Sequence, residues 1–247
     1  MSEWIARRDD PQMTPSMPVL LSFVAGYLDT YTYRTLFGLF AAQVTGSFVI
    51  AGAEFVASDS GIAGKLLAIV AFLVAAAATT ACIVLARDAG RVILPWILGL
   101  EAFLLAIFAA IVVFGPAVKD ARDWHGIVAG LFAAMAMGAQ SVLVRLPMQD
   151  IPQTNVMTGN MTQLGVAATE LIIMGRRLAR NGAGAAASEV AKARRRLTTV
   201  LAITLGFLAG AAAGAIAFAT IGLRGTFAPV VIVAALALWA GAREGSG

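Results

Sequence analysis

Two short motifs, Thr45-Gly46-Ser47 and Thr158-Gly159-Asn160, interrupt otherwise apolar stretches of this 247-residue chain. Glycine supports tight or non-helical backbone, while Thr, Ser and Asn cap helix N-termini. Polar, β-favouring residues before each glycine and a helical run after it predict a broken segment. In the second motif, residues 151–157 are expected to be extended, with the helix beginning near Gly159. A helix N-terminus opening inside a membrane offers N–H groups and a positive dipole end to an anion or polar solute. Transporters place such half-helices, one per repeat, around a midplane site. The candidate solute-binding residues are therefore Gln43, Thr45, Gly46 and Ser47 in one motif and Asn155, Thr158, Gly159 and Asn160 in the other. Asp29 and Gln140 join them from the preceding segments. The competing reading is a helix crossing eased by glycine, with Thr and Asn bonding across it.

Four charges inside apolar segments extend the set to charge coupling or structural pairing: Asp29, Arg34, Glu101 and Arg145. An ionised carboxylate in hydrocarbon costs about 2.5–3.5 kcal/mol on insertion scales, so it is paired, protonated or turned to a cavity. Asp29 reads as a proton or substrate site, or as half of a salt bridge tying two parts of the chain together. Arg34 is five residues away, a poor spacing for an intrahelical pair. Arg145 sits at the equivalent end of a later segment. Glu101, near the middle of its segment, needs a partner or a proton. Glu54 and Glu170 follow their motifs at similar distances and read as carboxylates near the membrane interface.

Other chemistries find no support. Cys82 and His125 are the only residues of their types, so neither a disulfide framework nor a cysteine- or histidine-rich zinc site is expected. Nucleophile elbow, phosphate loop and zinc-protease motifs are missing. The expectation is a non-enzyme with no cofactor and no metal. The chain has 18 Lys+Arg against 14 Asp+Glu, but seven of the basic residues fall between Arg176 and Arg196. That clustering fits a cytoplasmic loop rather than a nucleic-acid surface.

The elements that position these residues follow from hydropathy. The chain is 60% hydrophobic and 13% charged, more apolar than a water-exposed surface of this size accommodates. The apolar residues come in runs too long for core helices, and without water such runs must be helical. Eight segments are expected, over 18–36, 39–57, 63–86, 92–114, 124–146, 152–174, 195–221 and 225–242. The fold class is an all-α polytopic membrane protein with six to eight crossings, segments two and six broken at Thr-Gly. Residues 1–17 read as a cytoplasmic N-terminal tail without a signal peptide, and 18–243 as one transmembrane domain.

The segments repeat. Residues 41–47 match 154–160 at an offset of 113, and Gly52 matches Gly165 at the same offset. Gly26 matches Gly138 at 112, residues 71–75 match 206–210 at 135, and Pro95 matches Pro229 at 134. One insertion of 22 residues, in the basic loop 176–196, explains the jump. Repeat one is 18–115 and repeat two 124–243. Gly206, Gly210 and Gly214 make a smooth face in one copy, and Ala71, Ala75 and Thr79 do so in the other, as close helix packing in lipid requires. With eight crossings the repeats are parallel; with segments two and six re-entrant they are inverted. Either way 13 basic residues fall inside and five outside, so charge alone does not choose.

Gly26-Tyr27-Leu28-Asp29, Gln43-Val44-Thr45-Gly46-Ser47, Met137-Gly138-Ala139-Gln140-Ser141 and Val156-Met157-Thr158-Gly159-Asn160 resemble motifs of the YoaK-like family of bacterial membrane proteins. Ser47 and Ser141 stand where that family tends to have asparagine. The resemblance implies a bacterial inner-membrane protein with this repeat, and carries no agreed activity over to this chain. The functional expectation is a small transporter or channel for a small polar or anionic solute; the alternative is a non-transporting scaffold or accessory subunit. Expected partners are the lipid bilayer, a small-molecule solute and, optionally, a second copy in a homo-oligomer. Both termini are expected in the cytoplasm.

Overall fold

The computed structural model describes residues 16–57, 61–146, 151–181 and 185–244. Most of the expected N-terminal tail lies outside these residues. The helices are α1 (Ser16–Thr35), α2 (Val44–Ala57), α3 (Ile62–Asp88), α4 (Leu94–Phe114), α5 (Trp124–Arg145), α6 (Met157–Asn181), α7 (Ala185–Ile221) and α8 (Phe227–Glu244). A 3-10 turn, Gly222–Thr226, joins the last two, and no strand occurs among the described residues. Four stretches are long and apolar enough to cross a bilayer: Ile62–Asp88, Leu94–Phe114, Trp124–Arg145 and Ala187–Arg243. The last holds both α7 and α8. The chain is a helical, membrane-embedded protein.

Local chemistry sets the helix ends. Pro95 sits in the first turn of α4, where its missing N–H is no loss. Asp123 caps α5, accepting from the His125 backbone N–H at 3.1 Å, and this bond with the His125 ring holds its carboxyl below the usual range. The basic stretch 176–196 corrects an expectation. Rather than forming one loop, it is divided between the end of α6 and the start of α7. Its Ala, Arg and Lys are strong helix formers. With 37 residues, α7 is about 56 Å long, and its charged first third projects past a ~30 Å hydrocarbon layer.

Two helix pairs dominate the packing, α1 with α7 and α3 with α5. In the first, Gly206, Gly210 and Gly214 lie against the backbone of Val19, Phe23 and Tyr27, one turn apart on both helices, so the pair runs parallel. A Cβ at Gly214 would sit 2.7 Å from the Tyr27 carbonyl oxygen, and one at Gly210 would collide with that of Phe23. In the second pair Gly64 faces Ile127, Gly138 faces Phe72, and Arg87 reaches the Leu146 carbonyl at 3.3 Å. That pair is also parallel. α4 packs on α5 and α8.

Gly26 and Gly138 make a matched pair of close approaches. A Cβ at Gly26 would strike the Phe207 carbonyl, and one at Gly138 the Phe72 carbonyl. Backbone cannot yield as a side chain can. Gly26→Ala and Gly138→Ala are each expected to cost about 1–3 kcal/mol. Because they lie in separate helix pairs, the double variant should be additive within about 0.5 kcal/mol. Unfolding in mixed micelles measures this, and a neutral substitution at either site would contradict the packing.

After α1 the chain reverses through Phe37 and Gly38, both with positive φ (52° and 82°). Gly38 adopts this freely; Phe37 does so at a cost of about 1–2 kcal/mol. Residues 38–43 are irregular and run back along α1 until the Ala42 N–H meets the Asp29 carboxylate. That point lies six residues, about 9 Å, before the end of α1. α2 then leaves in the opposite sense. Lys65 Nζ donates to both the Phe37 carbonyl at 3.2 Å and Glu54 Oε1 at 2.6 Å, so the start of this hairpin and the end of α2 meet at one point. Residues 151–156 form a second irregular stretch. It lies along α5, with Thr154 against Gln140 and Asn155 against Ser141, before α6 begins.

The expected break at Thr-Gly is therefore displaced upstream. Helix α2 begins at Val44 and α6 at Met157, so both triplets fall within first helical turns. Ser47 donates back to the Phe40 carbonyl at 3.1 Å and Asn160 to the Gln153 carbonyl at 2.7 Å. These bonds stabilise the irregular residues ahead of the helix and let it start two residues before the glycine.

Candidate functional site

The two irregular stretches meet at a cavity of about 420 Å³. The first stretch gives Ala42 and Gln43, with Val44 and Thr45 from the start of α2; the second gives Gln153, Asn155 and Val156, with Met157 and Thr158 from the start of α6. Helix α3 contributes Phe72 and Ala76, and α5 contributes Ser141, Val142 and Arg145. Of the residues singled out from sequence, Gln43, Thr45, Asn155, Thr158 and Arg145 are brought together here.

The others play different parts. Asp29 is buried, and it is not paired with arginine. Its Oδ1 accepts from the backbone N–H groups of Ala42 at 2.6 Å and Gln43 at 3.4 Å. The salt-bridge reading is corrected: the carboxylate supplies the acceptor that buried non-helical backbone requires. Gln140 is fully buried and donates to the Leu21 carbonyl at 3.1 Å and the Thr154 hydroxyl at 2.9 Å. Ser22 sits between the carbonyls of Thr154 and Ile203, at 2.9 and 2.8 Å. Gln140 and Ser22 thus pin the second stretch as Asp29 pins the first. Ser47 and Asn160 spend their side chains on the carbonyls described above. Gly46 lies under the Phe40 ring, and Gly159 makes ordinary contact with Val156. Arg34 is exposed and covers the Phe218 ring at 5.3 Å, a cation–π contact rather than an ion pair. Glu101 is fully buried in α4, and neither of its oxygens has a hydrogen-bond partner among the described residues.

Sequence reasoning missed the ion pair that matters most to this architecture. Lys65, 2% exposed, bonds Glu54, which reads from sequence as an interfacial carboxylate. The available signal was two lone opposite charges at the facing ends of consecutive apolar segments. Glu170 also has a partner, Arg196 at 3.7 Å, and that pair is exposed. No group of three potential metal ligands occurs among the described residues.

The chain belongs to the family described as Protein of unknown function (DUF1275), whose model matches residues 17–239. No curated protein and no solved structure matches it.

Proposed function

We propose that this member of the family is a small transporter or channel of the bacterial inner membrane, carrying a small polar or anionic solute between two re-entrant hairpins. The observation that carries the reading is the cavity shared by both irregular stretches, with the first turns of α2 and α6 at its wall. Non-helical backbone at membrane depth is tolerated where it is buried or lines a water-filled cavity, and such broken elements are a habit of solute pathways.

In this reading α1, α3, α4, α5, α7 and α8 cross the bilayer, and the two halves are inverted copies. Several pairings support it. α1 packs on α7 as α5 packs on α3, and α2 on α3 as α6 on α7. The Gly26–Phe207 approach becomes Gly138–Phe72 when each residue is exchanged for its repeat partner. The same exchange turns the Asp29–Ala42 contact into Ser141–Asn155, and Ser47–Phe40 into Asn160–Gln153. α1 ends where α3 begins, beside the Lys65–Glu54 pair, so the first hairpin enters and leaves on that side. The second enters from the end of α5, on the opposite side. Six crossings then leave both termini on one side, the cytoplasmic one by the distribution of basic residues.

The test is flux into proteoliposomes for a panel of small solutes. Thr158→Val and Gln43→Leu each remove a polar group from the cavity wall and are expected to lower the flux of the carried solute at least tenfold. A carried solute whose flux is unchanged in both variants places the pathway elsewhere.

A further inference from the structure

We infer that the solute is a small oxyanion, such as a carboxylate or phosphate, and that Arg145 is its counter-charge; this rests on the pathway reading above. Among the described residues, Arg145 is the only charged side chain lining the cavity. No ion pair or hydrogen bond satisfies its guanidinium among the described residues, whereas the carboxylates on the hairpins' own elements are engaged there. Asp29 is held by the Ala42 and Gln43 amides, Glu54 by Lys65, and Glu170 by Arg196. Among the described residues no carboxylate lines the cavity to oppose the guanidinium.

The backbone adds to this field. In the first turn of α6 only the Asn160 N–H finds a backbone acceptor, the Val156 carbonyl at 3.3 Å. The N–H groups of Met157, Thr158 and Gly159 have no acceptor among the described residues, and Met157 and Thr158 line the cavity. An open helix N-terminus of this kind carries about half a positive charge. The first turn of α2 differs, since its Val44, Gly46 and Ser47 N–H groups already find backbone acceptors. A further group points to a bound molecule. Asn155 is 3% exposed and lines the cavity; its Nδ2 donates to Ser141 Oγ, while its Oδ1, an acceptor, is buried without a partner among the described residues and suits a donor on the bound molecule, such as the hydroxyl of hydrogenphosphate. A guanidinium and the open N-terminus of α6 make a site for a group with several acceptor oxygens. They repel a cation and leave a neutral solute no use for the charge.

The site is lopsided. Arg145 is exposed at the end of α5, while the opposite hairpin is closed by the buried Lys65–Glu54 pair. Tyr33 occupies the repeat position equivalent to Arg145, so one arginine serves the whole cavity. An anion entering from the α5 side meets the guanidinium before the N-terminus of α6.

The experiment measures flux of acetate, inorganic phosphate, urea and methylammonium into proteoliposomes holding native protein, Arg145→Gln or Arg145→Lys. The native protein is expected to carry at least one anion in preference to urea and methylammonium. Arg145→Gln should lower that flux ten- to a hundredfold, in line with one charge-assisted contact, and Arg145→Lys should restore part of it. An exposed position makes both variants safe for folding, and unchanged thermal unfolding checks this. If urea or methylammonium is preferred, or if Arg145→Gln carries anions as well as the native protein, the anion assignment is overturned and the pathway stands. If none of the four solutes crosses, the pathway itself is overturned, and this inference with it.

Discussion

Asp29→Leu is expected to destabilise the protein by about 2–6 kcal/mol, while Asp29→Asn is expected to leave it nearly intact. The carboxylate oxygen accepts from the backbone N–H groups of Ala42 and Gln43, in a stretch that forms no helix and no sheet. Each N–H left without an acceptor away from water costs about 1–3 kcal/mol, and leucine removes the acceptor from both. An asparagine carbonyl keeps the geometry and discards the charge. Two measurements separate the roles: unfolding in mixed micelles and solute flux into proteoliposomes. If Asn behaves like Asp in both, the residue is a positioning residue that holds the first hairpin at depth. Should Asn keep the stability and abolish flux, the charge itself takes part in transport. Equal damage from Asn and Leu in the unfolding measurement would contradict the backbone-acceptor role.

Lys65→Met is expected to cost about 3–5 kcal/mol, because it removes one partner of a buried ion pair and strands the other. Methionine replaces most of the lysine stem, so the loss is of charge and donors rather than volume. The Phe37 carbonyl, at a residue held in left-handed backbone, loses its donor in the same stroke. Replacing both partners, as in Lys65→Met with Glu54→Met, is expected to recover more than half of the loss, since no uncompensated charge remains. The four members of this double-mutant cycle are compared by unfolding in mixed micelles. A single-variant cost below about 1 kcal/mol would mean that water already screens the pair.

These two residues show why part of the site was legible and part was not. Asp29 stands out because a carboxylate in a long apolar run requires an explanation. What satisfies it is a pair of backbone amides 13 and 14 residues on, and amides have no signature in a sequence. Lys65 drew little notice because a lysine near the end of a hydrophobic run ordinarily reaches toward the headgroups. Only the reversal at Phe37 and Gly38 carries α2 back to it. Ser47 and Asn160 were legible as capping residues, but not the carbonyl seven positions back that each one serves.

The long apolar runs and their interruptions determined by themselves that this is a helical membrane protein, because hydrocarbon admits no other backbone for such segments. The same reading located the polar motifs that break the pattern. Which backbone and side-chain partners the irregular residues find was decided by tertiary structure alone. A count of basic residues is the same for a crossing and a re-entrant hairpin, since only the loops change sides. The contacts of Asp29 with Ala42 and of Lys65 with Phe37 and Glu54 support the re-entrant reading proposed above, because a hairpin must return to the end from which it started.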